Sequence, residues 1–66
     1  MHKYSVTIAG HQTSISLEKE FWLGIKKIAR EKNIPLNKLI SIIDKKQPSN
    51  LSSAVRIYVL KNLQLG

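Results

Sequence analysis

Three polar side chains near the N-terminus have the types and the spacing to recognise a polar ligand. In the stretch QTSISL (12–17), Gln12, Ser14 and Ser16 alternate with Thr13, Ile15 and Leu17. Successive side chains of a β-strand point to opposite faces, so the three would share one face. An amide and two hydroxyls can each donate and accept hydrogen bonds. The stretch therefore predicts a short strand, over about residues 12–17, with one hydrogen-bonding face.

The positive charge of the chain points to a polyanionic partner. Eleven Lys and Arg residues stand against four acidic ones, which gives a formal charge of +7. Clustered positive charge attracts phosphates through counterion release, which favours nucleic acid as the partner. The lysines expected to contact phosphate are those in a predicted arm, at a helix start and in a loop: Lys3, Lys38, Lys45 and Lys46.

Several classes of chemistry are excluded by composition. The chain has no Cys and only two His, so we expect neither a disulfide nor a metal site. It also lacks a carboxylate pair, a Ser-His-Asp set and a glycine-rich phosphate loop, so we expect no catalytic residue and no cofactor. No run of 18 apolar residues occurs and the N-terminus lacks the apolar segment of a signal peptide, so we expect a soluble, cytoplasmic protein without a membrane partner.

Helical periodicity follows the strand without a turn. Apolar residues then recur at helical spacing in three stretches, which predict helices over about 18–32, 35–45 and 51–64. Asn33 suits a left-handed helix end, with Ile34 as its apolar companion, and Pro35 suits the start of the next helix. With 66 residues, the chain is expected to form one domain, residues 1–66, that is mostly α with a short β-strand.

The segment before the strand has its own alternation, with the opposite parity. Tyr4, Val6 and Ile8 occupy even positions, whereas the apolar set of 12–17 occupies odd ones. A continuous flat strand would place the two sets on opposite faces. The break falls at residues 9–11, where glycine suits a bulge or a turn, so we expect two short extended pieces.

Pairing between two copies of the chain would satisfy a strand edge. A lone strand has both edges unpaired, and the same strand of a second copy would form a two-stranded antiparallel ribbon with it. Such a ribbon is narrow enough for the major groove of DNA, where its outward side chains meet base edges. The third predicted helix is apolar over more than half of its circumference, which also indicates contact with another subunit or a protein partner.

The stretch TSISLEKEFWLGIKKIAREKNIPLNKLI (13–40) resembles the ribbon-helix-helix family of DNA-binding repressors. The likeness consists of the alternating strand, a helix of the type FW..I..IA, and the turn NIPLN 16 residues after Leu17. The flanks are similar to a subgroup that has an added N-terminal strand and a third helix. The resemblance implies an intertwined homodimer, or a higher oligomer, in which the intersubunit ribbon reads double-stranded DNA to regulate transcription. It places base reading on Gln12, Ser14 and Ser16.

The resemblance also implies a phosphate held at the N-terminus of the second helix, at Leu36, Asn37 and Lys38. One alternative stays open, because NLSSAVRIYVL (50–60) also reads like that helix, with Ser52 and Ser53 at the phosphate. A second alternative is a dimeric, antitoxin-like protein-interaction module with weak DNA binding or none. The residues expected in the core or the dimer interface are Thr13, Ile15, Leu17, Phe21, Trp22, Ile25, Leu39, Ile40, Ile43, Val55, Tyr58 and Val59.

Overall fold

The chain folds as an antiparallel hairpin that packs on three helices. A computed structural model describes residues 1–46 and 50–65. The elements, in chain order, are β1 (His2–Ile8), β2 (His11–Leu17), α1 (Lys19–Glu31), α2 (Leu36–Lys46) and α3 (Leu51–Leu65). The hairpin lies over α2 on the side of β1 and over α3 on the side of β2. The predicted order of extended segments and helices is confirmed.

The partner of the second strand is the first strand of the same chain. β1 pairs antiparallel with β2, with Tyr4 opposite Ile15 and Ser5 opposite Ser14. The expectation that β2 has both edges unpaired within its own chain was therefore wrong. The physical reason is the turn, because Ala9 (φ 52°) and Gly10 (φ 80°) both have positive φ and form the tight two-residue reversal that suits a twisted hairpin.

This turn also resolves the change of parity between the two strands. A two-residue reversal sets even residues of β1 opposite odd residues of β2. The apolar side chains of both strands therefore share the inner face, where Val6, Ile15 and Leu17 are buried. The change of parity is what allows two amphipathic strands to cover one core.

The junction between α1 and α2 forms as the sequence predicts. Asn33 adopts a left-handed conformation with φ 58°. Its N–H donates to the carbonyl of Arg30, and the N–H of Ile34 donates to the carbonyl of Ala29, both at 3.1 Å. These two bonds satisfy carbonyls that the end of α1 leaves without helical partners. Pro35 follows, and α2 begins at the next residue.

The core combines the inner face of the hairpin with one stripe of each helix. Of the residues expected in the core or the dimer interface, eight are buried, namely Ile15, Leu17, Ile25, Leu39, Ile40, Ile43, Val55 and Val59. Three more, Phe21, Trp22 and Tyr58, are partly buried and pack against this core. The core also takes in Val6, Ile28, Ala29 and Ala54.

Thr13 lies outside the core of the single chain. It is on the inner face of β2, opposite Val6, but its side chain is exposed. It lines an open cavity near the turn end of the hairpin, which leaves this side chain accessible. Thr13 is therefore not part of the core of the single chain, and a contact with a second subunit stays a prediction.

Two close contacts fix how the elements sit on one another. The Tyr4 ring stacks nearly parallel on the Trp22 ring, with centroids 4.1 Å apart, and so joins β1 to α1. At the contact of α1 with α3, Gly24 lies so near Val59 that a Cβ at Gly24 would be 2.9 Å from a valine methyl. Trp22 is thus occupied by packing within the chain.

The third helix is apolar on its outer side as well. Ile57, Leu60 and Leu63 are 39%, 47% and 71% exposed, respectively. Helices that are apolar all round are usually covered on every side. None of the helices in the described part of the chain is long and apolar enough to cross a membrane.

Candidate nucleic-acid interface

The outer face of the hairpin is a continuous polar surface. It carries Lys3, Ser5 and Thr7 from β1 and Gln12, Ser14 and Ser16 from β2, and we call these six residues the outer ribbon face. All of them are exposed except Ser16, which is half-buried. The three residues expected to read bases are therefore neighbours on one face, directly across the strands from three more polar side chains.

Sequence reasoning missed Ser5 and Thr7, and it assigned Lys3 only to an arm. Each of the three lies opposite a predicted reading residue, since Lys3 pairs with Ser16, Ser5 with Ser14, and Thr7 with Gln12. The signal that could have found them was the alternation of β1 itself. Once Ala9-Gly10 is read as a two-residue turn, the odd positions of β1 must join the even positions of β2.

The outer edge of β2 is open to a further strand. In an antiparallel pair, residues alternate between exchanging hydrogen bonds and pointing their backbone groups away from the partner strand. The N–H of Thr7 donates to Asn37 Oδ1 at 3.2 Å and so points away from β2. Thr7 and its partner Gln12 therefore do not exchange backbone hydrogen bonds with each other. The backbone groups of Gln12 and Ser14 therefore point away from β1, and the described residues place no third strand beside them.

One end of this open edge is held by α3. Arg56 Nη2 donates to the Ser16 carbonyl at 3.4 Å, and Arg56 Nε donates to Glu18 Oε1 at 2.8 Å. The hydrogen bond from Arg56 holds the pKa of Glu18 below its ordinary value. Arg56 thus fixes the junction at which β2 passes into α1. A carbonyl oxygen has two lone pairs, so Ser16 can still accept a second bond.

The N-terminus of α2 adjoins the hairpin beside β1. The first N–H groups of a helix lack helical partners and favour anions. At Leu36, Asn37 and Lys38 these donors have no side-chain cap before them, because the side chain of Pro35 has no acceptor atom. Asn37 Oδ1 accepts the Thr7 N–H, so the donors that this residue keeps for an anion are its backbone N–H and its side-chain Nδ2. Lys38 is exposed beside it.

The N-terminus of α3 differs in being capped. Asn50 Oδ1 accepts the N–H of Ser53 at 3.1 Å, which satisfies one of the donors that a phosphate would need. Ser52 and Ser53 are both half-buried. Of the two helix starts considered from the sequence, that of α2 is therefore the one without a side-chain cap.

The lysines expected at phosphates fall into separate places. Lys3 is on the outer ribbon face and Lys38 is at the start of α2. Lys45 and Lys46 are exposed at the other end of α2, roughly 11 Å from Lys38 along the helix axis. Among the described residues, no group of three His, Cys, Asp or Glu side chains could hold a metal.

A cavity of about 490 Å³ opens beside β2. Its lining includes Thr13, Ser14 and Ile15 from β2, together with Asp44 at the end of α2 and Leu51 at the start of α3. The cavity thus adjoins the open edge of β2, where an approaching chain would meet both backbone donors and uncovered apolar surface.

Comparison with known proteins adds the family. The sequence model of the ribbon-helix-helix domain family matches residues 1–63. Neither the curated proteins nor the solved structures gave a match. Because the family match spans nearly the whole chain and agrees with the strand–helix–helix order of the fold, this chain belongs to the ribbon-helix-helix domain family.

Proposed function

We propose that the chain acts as a single-domain, dimeric DNA-binding protein that regulates transcription, as a repressor in the cytoplasm. Ribbon-helix-helix domains are typically DNA-binding regulators or antitoxins, on a fold used for binding and not for catalysis. The observation that carries the proposal is the outer ribbon face, an exposed, uncharged hydrogen-bonding surface apart from Lys3, in a chain of net charge +7. Such a face suits the polar edges of bases, while the remaining positive charge suits the phosphates around them.

The proposed dimer forms through the open edge of β2. A flat strand edge with free N–H and C=O groups is a ready template for another strand. Gln12 and Ser14 present such groups with no Lys or Pro on this edge to block pairing. The same strand of a second copy, running antiparallel, would complete the intersubunit ribbon. The exposed apolar side of α3 and the cavity beside β2 supply further surface for a second copy to cover.

Dilution tests the dimer. If no stable folded monomer exists, the melting temperature falls as the protein is diluted. We expect sedimentation to give the mass of a dimer, and the melting temperature to drop over a hundredfold dilution. A monomer mass, with a melting temperature that does not change on dilution, would contradict the proposal.

In the complex, β2 would supply the base contacts and helix starts the phosphate contacts. Gln12 can form a bidentate pair with adenine, whereas Ser14 and Ser16 make single, less selective hydrogen bonds. Phosphate contacts are assigned to the N–H groups of residues 36–38, to the Lys38 side chain, and to Lys3, Lys45 and Lys46. Specificity then depends mainly on Gln12, and affinity depends mainly on the cationic groups.

Binding titrations at several salt concentrations test this division. The DNA is a preferred duplex selected from a random pool and a scrambled duplex of equal length. Lys38→Ala should weaken both duplexes alike and lower the slope of log affinity against log salt by about 0.9 for each subunit, or about 1.8 for the dimer. Gln12→Ala should leave the slope unchanged and cost about 1–3 kcal/mol at one base pair of the preferred duplex. Equal loss on both duplexes for Gln12→Ala would show that β2 does not read the sequence.

The exposed apolar side of α3 supports a second function, docking of a protein partner. Ile57, Leu60 and Leu63 form an apolar surface of the kind that marks interaction sites. A dimer that works only through this surface would give no salt-sensitive shift of duplex DNA. Leu60→Lys distinguishes the two functions once sedimentation shows that the variant is still a dimer, because it should then abolish partner docking and keep its DNA affinity.

A further inference from the structure

We propose that β1 is part of the DNA-contacting surface, where it meets the phosphates on either side of the groove that the β2 pair occupies. This inference rests on the proposed function. It starts from the pairing of β1 with β2 inside one chain and from the outer ribbon face that the two strands share. Ser5 and Thr7, on β1, were not expected at the interface from the sequence.

The width of the assembled sheet carries the argument. Two copies joined through β2 form a four-stranded sheet in the order β1-β2-β2-β1. Neighbouring strands lie about 4.8 Å apart, so the outer strand axes are about 14 Å apart before side chains are added. The major groove is about 12 Å wide and admits a two-stranded ribbon. The central β2 pair therefore fits between the phosphate walls, and each β1 lies against one wall.

The register places one lysine at each wall. The open backbone groups of β2 are centred on Ser14, which would pair with its own copy across a two-fold axis. Lys3 pairs with Ser16, near the open end of the hairpin. The two copies of Lys3 then occupy opposite corners of the sheet, on the two outer strands. Each would contact a different DNA strand, with the Ser5 and Thr7 hydroxyls following along the same wall.

β1 is also held too firmly to leave the surface on binding. The Thr7 N–H is bonded to Asn37, and Tyr4 stacks on Trp22. The first contact ties β1 to the start of α2, whose open donors are assigned to a phosphate. β1 and the N-terminus of α2 therefore approach the same wall of the groove as one unit.

A cycle that combines protein and DNA changes tests the inference. Single phosphates of the preferred duplex are replaced, one at a time, by neutral methylphosphonates, and binding is measured for wild type and for Lys3→Gln. The control is Lys27→Gln, an equal charge change at an exposed position of α1. Circular dichroism melting checks that the variants are folded, which is expected because both lysines are exposed.

Lys3→Gln should remove one phosphate contact from each subunit. Each contact contributes about 0.9 to the salt slope, so the slope should fall by about 1.8 for a dimer. Wild type then loses about twelvefold more affinity than Lys3→Gln between 50 and 200 mM salt. At two symmetry-related phosphates, the methylphosphonate that weakens wild type should have no further effect on Lys3→Gln. Lys27→Gln should match wild type at every position.

Three results would overturn the inference. If Lys3→Gln keeps the wild-type slope while Gln12→Ala loses base preference, β2 reads DNA and β1 does not contact it. If Ser5→Ala or Thr7→Val changes the preferred base, a single hairpin enters the groove and β1 reads bases instead of holding phosphates. If wild type shifts no duplex at any salt concentration, the proposed function fails as well.

Discussion

The contact between α1 and α3 predicts that Gly24→Ala destabilises the wild-type protein but stabilises a variant in which Val59 is Ala. A Cβ placed on Gly24 would be 2.9 Å from Val59 Cγ1, and Val59 is 3% exposed. Val59 is β-branched and sits in a helix, so its side chain has almost no other rotamer. Overpacking of this kind costs about 1–3 kcal/mol, whereas Ala in place of Gly in a helix interior gains about 1 kcal/mol. Gly24→Ala should therefore destabilise the protein by about 1 kcal/mol.

Removing the valine methyls should reverse that effect. Val59→Ala alone leaves a cavity and should cost about 2 kcal/mol. In that background the new Cβ at Gly24 enters free space, so Gly24→Ala should stabilise by about 1 kcal/mol through helix propensity.

The assay is urea unfolding of the four proteins of this cycle at one fixed concentration, because the proposed dimer would make stability depend on concentration. Lys27→Ala, exposed on the same helix, should stay within about 0.5 kcal/mol of wild type. If Gly24→Ala stabilises the wild-type background, or destabilises both backgrounds, the close approach of the two helices is wrong.

Three further predictions concern the hairpin. Ala9→Asn should stabilise the protein by about 1 kcal/mol in urea unfolding, because Asn tolerates the left-handed φ of 52° better than Ala. Leu17→Ala should cost about 2–5 kcal/mol, since Leu17 is 0% exposed, and an equally stable variant would contradict the register. Because Arg56 lowers the pKa of Glu18, Arg56→Gln should be less stable than wild type above the ordinary carboxyl pKa. The difference should shrink as pH falls through the lowered pKa, to the part that the bond from Arg56 to the Ser16 carbonyl contributes. Melting curves of the two proteins from neutral to acidic pH check this, and a constant difference would refute it.

The helices could be predicted from the sequence because their signals are local. Asn33 and Ile34 form the helix end that their types indicate, and the bonds to Arg30 and Ala29 need no distant residue. The inner positions Ile15 and Leu17 followed in the same way from alternation. These parts of the fold depend on periodicity and on one special backbone conformation, both of which are visible in a short window of sequence.

The pairing of β1 with β2 was missed in the sequence for a specific reason. A tight hairpin turn usually has Asn or Asp before Gly, because the first central residue needs a positive φ. Here that residue is Ala9, and alanine rarely adopts such a φ. The sequence therefore indicated an interruption of the strand at this point but not a reversal of the chain direction. The contact of Gly24 with Val59 was equally hidden, since it joins two helices 35 residues apart. The β1 half of the outer ribbon face could be predicted only by recognising the turn at Ala9-Gly10.

The pairing within the chain also determines which register remains free in the proposed dimer. Within the hairpin, the turn at Ala9-Gly10 and the burial of Ile15 and Leu17 fix which residues face outward. Between two copies, a shift of the β2 pairing by one residue is excluded, because it would place the polar face of one copy on the inner side of the sheet. A slip of two residues keeps every face and moves one copy by about 7 Å, close to the rise of two base pairs. The spacing of the two DNA half-sites therefore depends on what centres the β2 pair on Ser14. We expect Arg56 to limit such a slip, because it already occupies one lone pair of the Ser16 carbonyl at one end of this edge.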